Sequence, residues 1–158
     1  MTRQRVDRVV SGAQSGADRA ALDAAIHHGR RYGGWCPAGG WAEDYPHPPG
    51  VLVDYPLLRA TDSPDPAVRT FLNVRDSHAT LIVGRTDIVS SGTDLTLQTA
   101  AELGRPLLRT AGDAAEIDRW LCGLGVAVTL NVAGPRESEQ PGVYAATFEL
   151  LDVVFGRD

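Results

Sequence analysis

Twice in this chain a short apolar run ends in a turn of small residues, and each turn opens a helical pattern. Val6 to Val10 runs into Ser11-Gly12-Ala13-Gln14-Ser15-Gly16-Ala17-Asp18 and the Ala-rich segment Arg19 to His28. Ala79 to Val83 is followed by Ser90-Ser91-Gly92-Thr93-Asp94-Leu95-Thr96 and the helical pattern Leu95 to Leu103. A strand that feeds a helix through such a turn aims backbone N–H groups and the positive end of the helix dipole at one place, which suits an anion, most often a phosphate. Two turns of this kind belong at the carboxyl edge of a parallel sheet, where open α/β sheets bind ligands.

The pattern extends along the chain. Pro106 to Arg109 and Val126 to Val132 read as further strands, and Asp18 to His28, Pro66 to Asp76, Thr93 to Leu103, Ala114 to Leu121 and Val143 to Phe155 as helices. This alternation predicts an α/β fold: a doubly wound, mainly parallel sheet flanked by helices on both faces. It breaks down between Gly33 and Pro66, where prolines crowd the sequence. That stretch reads as one short strand, a loop over the sheet edge and a second edge strand ending near Leu58 to Thr61. With no repeat or linker in view, residues 1–158 read as a single domain.

The first turn has the spacing G-x-x-x-G-x-D, which is neither the dinucleotide fingerprint nor the P-loop. Its glycines suit close approach of a phosphate and a positive φ. A tight connection capped by Asp18 would use the same residues. The net charge of −5 and a pI near 5.3 argue against a nucleic-acid surface. Lysine is absent, so cationic chemistry rests on arginine, a usage that a compositional bias of the source also explains. Cys36 and Cys122 share no metal-ligand spacing, nothing resembles a signal peptide, and no apolar run approaches the roughly 20 residues that span a bilayer. The expectation is a cytoplasmic protein without a membrane or nucleic-acid partner.

Three further clusters offer ligand contacts. Gly34-Trp35-Cys36-Pro37-Ala38-Gly39-Gly40-Trp41-Ala42-Glu43-Asp44 could set an indole, Trp35, on a flat heterocycle and offer it a carboxylate, or could use Trp as a hydrophobic plug. Arg69, Asn73, Arg75, Asp76 and Ser77 either bind a ligand or brace neighbouring loops. Asn131-Val132-Ala133-Gly134-Pro135-Arg136-Glu137-Ser138 ends the final strand and brings an Arg to the sheet edge to clamp an anion; otherwise it is a loop capped by Ser138. His27 and His28 read as helix C-terminal cations, and no metal site is expected.

The segments Val10 to Asp23, Gly33 to Pro37, Asn73 to Ser77, Ser91-Gly92-Thr93 and Leu130 to Ser138 together resemble the molybdenum cofactor carrier family. That family lies within a Rossmann-like superfamily that includes the cytokinin-activating phosphoribohydrolases. The resemblance implies a carrier that binds molybdenum cofactor (molybdopterin) or a phosphorylated nucleotide-like ligand, and a homodimer or homotetramer. The candidate binding residues are Gly12, Gln14, Ser15, Gly16 and Asp18 from the first turn and Ser91, Gly92 and Thr93 from the second. Trp35, Arg75, Asp76, Asn131 and Arg136 complete the set.

One departure bears on catalysis. The phosphoribohydrolases carry P-G-G-x-G-T-x-x-E; here Gly92-Thr93 matches, Val89 and Ser90 replace two glycines, and Thr96 stands at the Glu position. A hydroxyl cannot take over a carboxylate's role at a cationic transition state. No catalytic residue is therefore assigned, and the expectation is a binder rather than an enzyme. The alternatives are a nucleoside 5′-monophosphate phosphoribohydrolase using Glu43, Asp44, Asp76 or Asp94, and a nucleotide-sensing regulatory domain.

Overall fold

The computed structural model describes residues 4–158. Its strands are β1 (Val6–Val10), β2 (Arg31–Gly33), β3 (Trp35–Cys36), β4 (Arg59–Ala60), β5 (Ala79–Val83), β6 (Leu107–Thr110) and β7 (Val128–Ala133). The helices are α1 (Ala17–His27), α2 (Pro66–Arg75), α3 (Ser91–Leu103), α4 (Ala114–Leu124) and α5 (Val143–Gly156). The central sheet runs in the order β2-β1-β7-β5-β6, with every neighbouring pair parallel. The chain winds outward from β1 to β2, crosses to β5, winds outward to β6, and returns to insert β7 between the two halves.

The apolar runs become strands because both faces of the sheet are covered, and β5 is buried at every position. Leu81, Val83, Leu130 and Val132 share one core with Ala21, Ala24 and Ala25 of α1, Ile117 and Leu121 of α4, and Leu151, Val154 and Phe155 of α5. Alanines on α1 let α5 approach closely. The alternate strand positions Thr80 and Asn131 are buried on the opposite side and bond to each other at 3.2 Å. There α2 and α3 pack together. Their buried positions are small or polar, Asn73 and Val74 on α2 and Thr93, Thr96, Thr99 and Ala100 on α3. Among the described residues no helix is long and apolar enough to cross a membrane.

The irregular segment differs from the sequence expectation. Among the described residues β3 and β4 pair only with each other, Trp35 with Arg59 and Cys36 with Ala60, in a separate two-stranded sheet. The main sheet's edge is instead β2, which has a single buried position and hence too weak an apolar signal to read. A second cluster, including Ala13, Leu22, Cys36, Val51, Tyr55 and Leu58, fastens the proline-rich segment onto α1. The final strand starts two residues later than expected, because Ala127 takes a left-handed turn at φ 55°.

Candidate functional site

The carboxyl ends of β1, β5 and β7 bring their following loops to one edge of the sheet. A cleft of about 260 Å³ opens there. Gly12, Gln14 and Asp18 line it from the first turn; Arg69, Thr70 and Asn73 from α2; Ser90, Ser91, Gly92, Thr93 and Thr96 from the start of α3; and Asn131, Ala133 and Gly134 from β7 and the residue after it. Trp41, Arg136 and Glu139 stand around it as well.

The α3 side offers hydrogen-bond donors. Ser90 caps the helix, its side chain accepting from the Thr93 amide at 3.3 Å while its carbonyl accepts from the Asp94 amide at 3.0 Å. The Ser91 and Gly92 amides take no partner among the described residues, as the first turn of a helix leaves them. Thr93 is 4% exposed, and its hydroxyl has no hydrogen-bond partner among the described residues. A Cβ on Gly92 would meet nothing closer than Ser90 Oγ at 3.9 Å, so this backbone faces open space.

Across the cleft, Arg69 Nη1 donates to the Gly12 carbonyl at 2.6 Å and lies 3.7 Å from Asp18 Oδ2. Gly12 is required for this seat, since a Cβ there would lie 2.7 Å from the Arg69 guanidinium carbon. Asp18 is not the helix cap. It sits inside α1 and accepts from the Gln14 amide at 3.4 Å. Burial pushes its carboxyl up to about 6, with Arg69, the Gln14 amide and Arg19 pulling the other way.

Several sequence candidates lie elsewhere. Gly16 has the positive φ expected of it, 79°, but a Cβ would strike Pro135 O and lie 2.7 Å from the Glu137 amide, so its close approach is to the loop after β7 and not to the cleft. The Ala17 amide is likewise taken by Pro135 O at 3.2 Å. Ser15 donates to Glu43 and accepts from the Glu137 amide at 3.1 Å, which turns it away from the cleft. Trp35, Arg75 and Asp76 form their own surface group: Trp35 Nε1 donates to Asp76 at 3.0 Å and Arg75 pairs with the same carboxylate at 2.8 Å. That group borders a neighbouring groove, and the indole on the cleft is Trp41. Arg69, which the sequence offers as either a ligand contact or a brace, lines the cleft beside Thr70, which the sequence does not mark. The four-residue spacing of Arg69 and Asn73 was the signal for that helix face.

Of the alternative carboxylates, Glu43 and Asp44 are engaged in structural contacts, as Asp76 is with Trp35 and Arg75. Glu43 joins three loops, accepting from Ser15, from Ser138 Oγ at 2.6 Å and from Arg136 at 3.5 Å. Burial opposes its ionisation, but the bonds from Ser138 and Ser15 outweigh that and hold it below its ordinary value. Asp44 is clamped by Arg19 through two bonds of 2.9 Å. Thr96 returns its hydroxyl to Gly92 O at 2.8 Å, so at the Glu position of the hydrolase motif the side chain serves its own helix. Ser138 does not cap α5, whose N-cap is Gly142; the Glu137 carboxylate accepts from the Gly142 and Tyr144 amides at 2.6 and 3.0 Å.

A search among curated proteins finds no match. A solved structure described as a "putative molybdenum carrier protein" from Syntrophus aciditrophicus SB is 36% identical, with a TM-score of 0.86 over 97% of each chain. Residues 9–155 match the circularly permutated YpsA SLOG family. The ordered motifs, the parallel sheet with its cleft at the carboxyl edge, and a match over nearly the whole length agree: this chain belongs to the circularly permutated YpsA SLOG family and shares the fold of that solved structure.

Proposed function

We propose that this protein binds a small anion bearing a phosphate or comparable oxyanion in the cleft at the start of α3, with molybdenum cofactor the leading ligand. The observation that carries the reading is the buried, unpartnered hydroxyl of Thr93 beside the open Ser91 and Gly92 amides. Leaving such a group unsatisfied costs about 1–3 kcal/mol. A ligand oxygen would accept from it at the positive end of a 13-residue helix.

The lining fits the phosphate end of such a ligand. Arg69 and Arg136 supply charge, and Trp41, 39% exposed, offers a face to a flat ring at the mouth. The volume of about 260 Å³ lies just under the roughly 300–1,000 Å³ of small-molecule sites, which matches an enclosed phosphate with the ring held at the rim. Molybdenum cofactor would bring a phosphorylated pterin carrying an oxo-molybdenum group; Ser91, Gly92, Thr93 and Arg69 would hold the phosphate. The description of the solved relative as a carrier supports this ligand over a nucleotide.

A thermal shift series with molybdate, tungstate, purified cofactor and nucleotides tests the proposal, and we expect the cofactor to raise the melting temperature most. No shift with any of them at millimolar concentration sinks it. Light scattering on the same sample measures the expected dimer or tetramer.

One observation favours a second reading, N-glycosidic hydrolysis of a nucleoside 5′-monophosphate: burial pushes the carboxyl of Asp18, on the cleft wall, up to about 6, in the direction that suits an acid/base catalyst. Release of free base from a monophosphate panel, lost in Asp18→Asn, would favour it over the carrier.

A further inference from the structure

At the far end of α1 from the cleft, three side chains converge that no part of the anion site uses. His27 closes the last turn of α1, His28 is its C-cap, and Asp152 lies on α5. Asp152 Oδ1 stands 2.8 Å from His28 Nε2 and 3.8 Å from His27 Nε2, and the donor atoms all fall within 4.8 Å of one another. Bonds of about 2.0–2.1 Å around a tetrahedral metal put donor atoms about 3.3 Å apart, which these distances bracket.

We propose that His27, His28 and Asp152 bind one divalent late first-row transition metal of the zinc and nickel class. Two imidazoles on one carboxylate oxygen are more than an ion pair requires. Their rings are also supported: His27 packs at 5.9 Å from the Phe148 ring, and His28 meets Phe155 edge-on at 6.0 Å. Phe155 is 2% exposed and belongs to the core that joins α1 to α5, so the donors ride on two packed helices. Two nitrogens and one oxygen select borderline metals over magnesium or calcium, which prefer oxygen alone. His27 and Asp152 are partly exposed, at 62% and 47% of their side chains, which leaves the ion accessible and the remaining coordination positions to water. The site is independent of the cleft, because the 11-residue α1 separates the two by about 16 Å.

The test is calorimetric titration of tag-free protein with Zn²⁺, Ni²⁺ and Mg²⁺, with Co²⁺ absorption reporting the ligand field. We expect one Zn²⁺ or Ni²⁺ per chain and no Mg²⁺. His27→Asn, His28→Asn and Asp152→Asn should each weaken Zn²⁺ binding roughly tenfold or more, and together abolish it. Glu149→Gln, which removes a neighbouring charge from the same helix, should not. Circular dichroism and melting of the metal-free variants establish that they are folded. No saturable Zn²⁺ or Ni²⁺ binding below millimolar concentration overturns the proposal. So does binding that survives the triple replacement, or a Glu149→Gln loss as large as that of Asp152→Asn.

Discussion

Gly16 and Glu137 are packed so closely that a Cβ on the glycine would lie 2.7 Å from the Glu137 amide nitrogen. The backbone of the first turn is thus fitted to the loop after β7, and its φ of 79° suits glycine alone. Gly16→Val should destabilise the protein by about 3 kcal/mol or more through clash and strain. Urea denaturation measures it. Gly29→Ala, where φ is also positive but nothing lies within 4 Å, should cost only about 1–2 kcal/mol. Equal losses for the two would show that φ, and not the contact with the β7 loop, sets the requirement.

Thr93→Val should move stability and affinity in opposite directions. The replacement keeps the shape and removes a buried hydroxyl that has no partner among the described residues. Stability should stay level or rise by about 1 kcal/mol, while affinity for the phosphate-bearing ligand should fall about tenfold. Melting curves with and without ligand read both effects. Undiminished affinity would remove Thr93 from the site.

Sulfate, which does not titrate near neutrality, should bind more tightly as pH falls through about 6, where Asp18 becomes neutral. The same group affects folding. Its folded value lies above its ordinary 3.8, so the protein binds an extra proton between about pH 4 and 6, and the stability tied to it is lost as pH rises through that window. The loss is on the order of 2–3 kcal/mol. Asp18→Asn should flatten both dependences. A sulfate affinity that keeps its pH slope in that variant would assign the slope to another group.

Asp158 is a support far from the cleft. Its carboxylate accepts from the Arg5 and Val6 amides at 2.8 and 3.1 Å and pairs with the buried Arg30 at 2.8 Å. Burial opposes ionisation, but these partners hold the carboxyl below its ordinary value, so this stability is present above about pH 4 and lost as pH falls through the lowered folded value. Asp158→Asn should cost about 3 kcal/mol at pH 7, because it leaves Arg30 buried without its counter-charge. Chemical denaturation at pH 7 checks it, and a loss under about 1 kcal/mol would show that water or Phe155 O, which also bonds Arg30, compensates.

Each segment of the sequence reports its own burial. Val6, Val9, Val10 and Ala79–Val83 are buried because both sheet faces are covered, and the glycine-rich turns mark the end of β1 and the start of α3. Tertiary structure decided which segments face one another. Ser15 reaches Glu137 across 122 residues, which turns half of the first motif away from the cleft. Asp76 holds Trp35 and leaves Trp41 on the cleft, and β7, last in the chain, becomes the central strand that joins the two motifs at one edge. His27 and His28 look like helix-end cations until α5 sets Asp152 beside them. Periodicity records how deeply a residue is buried; its partner is chosen by long-range packing, which no local pattern encodes.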